Sequence, residues 1–506
     1  MGALSGFVIT GLEVLATLFI FVIGLAVFAV IFMYILDSSQ SRDAVRHNYP
    51  VVGRFRELFT RLGEFFRQYF FALDREEMPF NRAERDWIYK SAKGKNNTAP
   101  FGSTRNINLV GTPIFVNCAF PKLSEDATDP PPVVIGEYTK SPYHASSIIN
   151  VSAMSFGALS KPAVQALSHG ANMAGCFVDT GEGGLSPFHL EGGCDIVFEI
   201  GTAKYGVRDS EGKLDDDLLR KIAEHDVVKM IEVKLAQGAK PGKGGMLPGS
   251  KVTREIAKVR GIPKGVASIS PNRHEEIDSV DDLLDFIGHV RDVSQLPTGF
   301  KTVLGAYGWL DNLCDAIDAR GIEHAPDFIT LDGGEGGTGA SPMSLMDNVG
   351  LSVRESLPML HDILVRRGLR DRIKIIAAGK LVTPADVAWA YCAGADIVNT
   401  ARGFMFSLGC IQALRCHTNN CPTGVTTHKK SLQRGLDPEL KSVQVANYVE
   451  KMRKDVAMIA HSCGAAHARA LKPRHVRIVQ EDGGSVPLDE LLASRRPLSP
   501  DQYCEI

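Results

Sequence analysis

Eight short apolar runs rich in β-branched residues recur along the chain, each followed by a stretch with helical character, and that alternation restricts the fold more than any other feature. The runs are Ile148–Met154, Cys176–Gly181, Ile196–Gly201, Met230–Leu235, Phe300–Gly305, Asp327–Gly333, Ile373–Gly379 and Ala395–Ala401. Continuous apolar runs of this length describe strands buried on both faces, and the intervening Lys161–Ala174 and Pro384–Ala393 carry helical periodicity. Eight such units predict an α/β protein built on a (β/α)8 TIM barrel. The connection over residues 236–299 is too long for one crossover, so it must contain an inserted excursion. Chemistry in such barrels gathers where the strands end, which directs attention to the loops after each run.

Those loops are rich in glycine: Thr180–Gly184 (TGEGG), Ala236–Gly245 (AQGAKPGKGG), Asp332–Pro342 (DGGEGGTGASP) and Ala377–Lys380 (AAGK). Glycine lets backbone N–H groups approach a ligand closely, and several such loops on one rim point to a large phosphorylated or planar cofactor. Gly379, Lys380, Arg402 and Gly403 occupy the phosphate position of such barrels, after the seventh and eighth strands. Gly334, Gly336 and Gly339 formally match a dinucleotide fingerprint, but they follow a barrel strand and run into Pro342 without a helix start, so the match is rejected.

Cys410, Cys416 and Cys421 lie in GCIQALRCHTNNCPTG, a C-x5-C-x4-C spacing with proline after the last thiol. Three local thiolates suit an iron–sulfur cluster with three iron atoms, or four with one outside ligand. A zinc site and three unrelated core cysteines are the competing readings; zinc prefers C-x2-C or C-x4-C pairs. Ten cysteines in 506 residues are far from a disulfide scaffold, and free thiols beside a cluster fit a reducing compartment. The formal charge of −2 lacks the basic excess of a nucleic-acid partner.

Residues Val14–Leu36 carry no charge over 23 positions, enough at ~1.5 Å per residue to cross a ~30 Å hydrocarbon core. Arg42, Arg46, Arg54, Arg56 and Arg61 follow the span and no basic residue precedes it. This predicts a single-pass anchor in the cell membrane with residues 37–506 on the cytoplasmic side. In residues 54–73, Phe55, Leu58, Phe59, Leu62, Phe65, Phe66, Tyr69 and Phe70 recur at i, i+3, i+4, an amphipathic helix that either lies in the lipid interface or packs on the following domain. The expected organisation is an anchor (1–40), a juxtamembrane helical region (41–132), the barrel with its cysteine motif (133–430) and a helical extension with a polar tail (431–506).

SAMSFGALS (152–160), TGEGG, KLAQGAKPGKGG, VTREIAKVRGIPKGVASISP (252–271), DGGEGGTGASP and the cysteine run, in this order, resemble the FMN-binding synthase domain of glutamate synthase. The chain is most similar to the short, membrane-anchored members of the FMN-binding glutamate synthase family, over roughly residues 45–430. The resemblance implies a (β/α)8 barrel holding FMN beside a [3Fe–4S] cluster, and an oxidoreductase of the CH–NH2 class that converts 2-oxoglutarate and ammonia to L-glutamate. It places Cys410, Cys416 and Cys421 on the cluster, and Met154, Ser155, Lys234, Asp332, Gly333, Gly334, Gly379, Lys380, Arg402 and Gly403 around the flavin. It places Lys240 and Arg260 on the substrate carboxylates, with Glu182 as a proton relay near the reacting centre; Glu182 and Lys240 are then the catalytic pair. A dicarboxylate in a shielded cavity requires such cations.

Three departures qualify the expectation. Met1-Gly2 and a membrane span stand where the family carries a glutaminase nucleophile, so ammonia is expected from elsewhere. Met246 replaces the family's substrate-contacting glutamine, which opens a second reading: a membrane-associated FMN and iron–sulfur oxidoreductase for another amino or oxo acid. No flavin- or nicotinamide-reductase domain is legible, so electrons are expected from a separate protein or a membrane redox carrier.

Overall fold

The computed structural model describes residues 2–40, 43–306 and 308–494. Arg42 and the tail 495–506 lie outside the described residues. The chain divides into two compact units, one ending at Ala83 and one beginning at Glu84.

In the first unit, helix α1 (Gly2–Ser39) contains the whole predicted span. Within Val8–Ser39 an 18-residue window has a mean hydropathy of 3.0, and the Val, Leu, Ile and Phe side chains from Val8 to Leu36 are exposed. Just past the span, Asp37 is buried and receives the Arg54 guanidinium at 2.7 Å and the Val51 amide at 2.9 Å. This contact fixes the start of α2 (Gly53–Phe66) against the end of α1. The expected aromatic helix is present, but after Phe66 it continues as a π-helical turn over Arg67–Phe71. The extra residue in that turn shifts the register, so Phe65 lies beside both Tyr69 (4.8 Å between centroids) and Phe70 (6.0 Å).

The second unit contains the barrel, and all eight predicted runs are its strands. They are β1 (Ile149–Val151), β2 (Val178–Asp179), β3 (Ile196–Ile200), β4 (Val228–Lys234), β5 (Thr298–Thr302), β6 (Phe328–Asp332), β7 (Lys374–Ala378) and β8 (Ile397–Thr400). Each pairs in parallel with its neighbour in sequence, and β8 closes on β1 through Asn399 and Asn150. Helix α3 (Lys161–Ala174) forms over the expected residues, begun by Ser160, whose hydroxyl accepts from the Ala163 amide, and ended by Gly175 at a left-handed φ of 60°. It packs on α4 (Pro438–Ser462) so closely that a Cβ on Gly170 would lie 2.5 Å from Val445.

A hairpin of Val133–Ile135 and Tyr143–Ala145 plugs the barrel at the amino-terminal ends of its strands. There Ile135, Tyr143 and Ala145 form one apolar cluster with Phe177, Val197, Met230, Phe328, Ile376 and Ile397. The 236–299 excursion contains a second hairpin, Met246–Leu247 with Ser268–Ile269, and the helices Arg254–Arg260 and Val280–Ser294. Two parts differ from the sequence expectation. In the 41–132 region α-helix ends at Ala92, Pro113–Phe115 is a strand, and Ser124–Asp126 is a single 3-10 turn. The carboxy-terminal extension supplies two more strands, Val476–Val479 and Ser485–Pro487, which join it in a three-stranded sheet.

Asp327, at the entrance to β6, is buried between Arg291 (3.0 Å) and Arg372 (2.8 Å) and accepts from the Thr298 amide at the start of β5 (2.8 Å). Removing its charge strands two guanidinium groups in a poorly solvated position. Asp327→Asn is expected to destabilise the protein by about 3 kcal/mol, read as a melting temperature lowered by several degrees. The exposed Glu211→Gln, which breaks a surface ion pair with Lys213, serves as the unaffected control.

Candidate active site

A cleft opens at the carboxy-terminal ends of the strands, the face on which barrels of this kind gather their chemistry. Ser152 and Ala153 after β1, Lys234 at the end of β4 with Gln237 beyond it, and Lys301 in β5 line it. Asp332 at the end of β6, Gly337 after it, Gly379 and Lys380 after β7, and Asn399 and Arg402 at β8 line it as well. Two neighbouring features of the β7 loop stand out. Gly379 has φ 117° and leaves no room for a Cβ, which would lie 2.7 Å from the Gly333 amide nitrogen, and Lys380 itself sits at a left-handed φ of 59°. Strained backbone of this kind concentrates at ligand sites.

Lys234, Asp332, Gly379, Lys380 and Arg402 therefore line the cavity, whereas Met154, Ser155, Gly333, Gly334 and Gly403 lie outside its lining. Close packing explains these five. Met154 and Ser155 press against Gly181, whose Cβ would lie 2.6 Å from the Ser155 amide nitrogen. A Cβ on Gly333 would lie 2.6 Å from Val353 N, one on Gly334 2.4 Å from Gly350 O, and one on Gly403 2.3 Å from Tyr448 Oη. Sequence reasoning missed Gln237, Lys301, Gly337 and Asn399. A lysine inside an apolar strand run was the available signal for Lys301.

Beside the cavity, the β2 loop carries Glu182 into a slot where Gly201 and Gly245 provide the space; a Cβ on Gly245 would lie 2.1 Å from Glu182 Oε1. Lys234 Nζ is 3.1 Å from Glu182 Oε2, 3.7 Å from Glu199 Oε1 and 2.6 Å from Gln237 Oε1. Burial pushes the Glu182 carboxyl up, but Lys234, Lys240 and Arg260 together outweigh it and hold the group below the ordinary range. Lys240 and Arg260 are each 4% exposed. Among the described residues neither has a carboxylate within 4.0 Å, and burial pulls the Lys240 ammonium down to about 8. Arg260 donates to Ser268 Oγ (3.1 Å), Ser155 Oγ and Phe156 O (3.3 Å each), and its buried Nε has no hydrogen-bond partner among the described residues. The structure thus brings Glu182, Lys234, Lys240 and Arg260 together as one electrostatic group. Met246 follows Gly245 on the hairpin, paired with Ile269, and is 43% exposed.

The cysteine loop follows the short helix Arg402–Ser407, one end of which reaches the cavity. Among the described residues, Cys410, Cys416 and Cys421 form no disulfide, and their sulfurs are not gathered within 4.8 Å of one another as a set. Gln412, Leu414 and Asn419 have left-handed φ of 58°, 53° and 60°, so the loop is wound tightly, and the Gln412 amide points to Cys410 Sγ at 3.5 Å. Lys251 Nζ donates to Ala158 O (2.8 Å) and Cys416 O (3.3 Å), and the His428 ring contacts Gly157 O at 2.8 Å. These contacts join the cysteine loop to the β1 loop, whose first residues line the cavity.

Residues 115–466 match the family described as the conserved region in glutamate synthase. The glutamate synthase large subunit-like protein YerD of Bacillus subtilis is 39% identical over 521 residues, covering 95% of this chain and 98% of the relative. Archaeal glutamate synthase (NADPH) of Methanocaldococcus jannaschii is 32% identical over 330 residues, 65% of this chain and 61% of that protein, so the shared part is under two thirds of its length. Among solved structures, the flavin-binding domain of baker's yeast flavocytochrome b2 aligns with a TM-score of 0.44 and 16% identity, covering 82% of this chain and 88% of that one. With the barrel and its rim in place and a relative matching nearly end to end, the chain belongs to the glutamate synthase family.

Proposed function

We propose that this protein is a membrane-anchored, glutamate synthase-like oxidoreductase that binds FMN and a [3Fe–4S] cluster and aminates 2-oxoglutarate with ammonia to L-glutamate. The observation that carries the proposal is the pair of buried cations, Lys240 and Arg260, that have no carboxylate within 4.0 Å among the described residues and stand near the Glu182–Lys234 ion pair. Two unneutralised charges in a poorly solvated site call for an anion with two negative groups.

The chain's donors fit both groups. The polar edge of Lys234 and Gln237 and the cations Lys380 and Arg402 after the seventh and eighth strands suit a flavin mononucleotide, and three thiols in one tightly wound loop suit a cluster. When bound, the flavin supplies hydride and the cluster carries single electrons to it. The protein's own part is positional and electrostatic. Lys240 and Arg260 hold the carboxylates, Lys234 places positive charge at the cavity edge, and Glu182 holds or releases a proton within 3.1 Å of Lys234 Nζ. Electrons come from a separate protein or a membrane carrier. The apolar span of α1 and the arginines that follow it support a single-pass anchor with the barrel in the cytoplasm. A second reading, action on another oxo acid, is favoured by Met246, which adjoins the glycine that makes room for Glu182.

Protein purified anaerobically in detergent is expected to contain FMN and iron, and Cys416→Ser or Cys421→Ser to lose the iron and its low-temperature EPR signal. Cys314→Ser, at a buried thiol on a helix elsewhere, should keep both; zinc in place of iron would overturn the cluster. Binding of 2-oxoglutarate, followed by calorimetry, is expected to be constant below pH 7 and to weaken above about pH 8, because the depressed Lys240 ammonium is lost there. Lys240→Met should weaken binding by about tenfold to a hundredfold and flatten that pH dependence. No binding by the parent protein, restored by Met246→Gln, would shift the substrate to the second reading.

A further inference from the structure

Side chains two residues apart on a strand share a face. Phe177, Val197, Met230, Phe328 and Ile397 belong to the apolar plug, so the next inward layer is Asp179, Glu199, Glu232, Thr330 and Asn399, with Lys301 from β5. Barrel interiors are ordinarily filled with branched apolar residues; this one is ionic, and its carboxylates are about 1% exposed.

One acceptor oxygen from each of Asp179, Glu199 and Glu232 lies within 4.8 Å of the other two. Lys301 stands among them, 3.2 Å from Glu199 Oε2 and 3.9 Å from Glu232 Oε1. The other charged neighbours are Lys234, 3.7 Å from Glu199 Oε1, and Asp332, which lies within electrostatic range of Lys301. Thr330 donates to Glu232, and β1 and β8 contribute the neutral Asn150 and Asn399. Even with Lys234 shared between Glu199 and Glu182, three carboxylates beside Lys301 leave at least one negative charge uncompensated in a dry interior, which is untenable. The layer must hold at least one proton. One oxygen each of Asp179 and Glu232 lies within 4.8 Å of the other, an approach that a proton on either carboxyl favours. Burial and the neighbouring carboxylates raise Asp179 to about 7 and raise Glu232 well above the ordinary range.

We propose that Asp179, Glu199 and Glu232, organised by Lys301, form a proton store beneath the active site that exchanges with Glu182 through Lys234. This rests on the amination reading. There, 2-oxoglutarate, ammonium, two electrons and two protons give glutamate and water, so a shielded site must be supplied with protons as well as electrons. In the relay, a Lys234 N–H bond breaks and an O–H bond forms on Glu182. A carboxyl O–H of the store then breaks, by way of Glu199, and restores the Lys234 ammonium. No electron moves in this step. Each electron pair delivered to the cavity adds negative charge above the layer and draws a solvent proton into it.

The test uses the full-length protein in detergent micelles. Infrared spectra near neutral pH should show a protonated-carboxyl C=O band that persists without bound cofactor and that is lost or at least halved in Glu232→Gln. Asp179→Asn serves if that variant does not fold. In flavin-loaded protein, proton uptake per electron pair during electrochemical reduction, read with a pH-indicator dye, should fall by at least half in the same variants. A neutral, near-isosteric replacement that affected packing alone would alter the melting temperature and leave the proton count unchanged, which would overturn the store. A parent protein without the carboxyl band would overturn it too. The band requires no flavin, so a protein that fails to bind FMN defeats the amination reading while leaving the store separately tested.

Discussion

Lys301 is the contact on which the interior of the barrel depends. It stands on β5, reaches Glu199 on β3 and Glu232 on β4, and lies close to Asp179 on β2. An eight-stranded barrel satisfies its backbone by closure, but it leaves no water inside to solvate a charge. An ionic layer in that position must neutralise itself through specific geometry, and this fixes the register of four adjacent strands relative to one another. Glu199 also contacts Lys234, and Lys234 contacts Glu182. The active-site ion pair is therefore the upper end of a network rooted in the middle of the barrel.

Glycine has a second role here, beside the ligand contacts that a glycine-rich rim first brings to mind. A Cβ on Gly238 would fall 1.9 Å from Gly333 O and one on Gly244 2.1 Å from Ser270 O. The loops after β4 and β6 touch backbone to backbone, and the Gly238 amide donates to Asp332 at 2.8 Å. Convergence of long loops over one cavity demands this absence of side chains, so many of the rim glycines shape the site from behind its lining.

The barrel was legible because its signal is local. Continuous apolar runs and helical periods mark strands and helices independently of what they pack against, and α3 forms over the residues its periodicity indicates. β4 and β5 begin two residues before their apolar runs, at Val228 and Thr298, because backbone pairing extends beyond the apolar core. The Pro113–Phe115 strand was not legible: its partner, Val476–Val479, is more than 350 positions away, and neither segment is periodic enough to declare itself. The ionic layer was hidden for another reason. Glu199, Glu232 and Lys301 each sit in a strand run that weighed as apolar on average, and only closure shows that they meet.

Within the site, the cations fall into two classes that carry different information. Lys234 and Lys301 are each held by carboxylates of the fold, so their charge is settled before any ligand arrives. Lys240 and Arg260 are as deeply buried, yet their neighbours within 4.0 Å among the described residues include no carboxylate. A buried cation without a counter-ion destabilises the empty protein. Its cost is offset only in the state where an anion is present, and a ligand that binds the folded form alone stabilises that form in proportion to its affinity. Lys234 and Lys301 thus belong to the architecture, whereas Lys240 and Arg260 carry charge that only the more distant Glu182 offsets and that a bound anion would offset further.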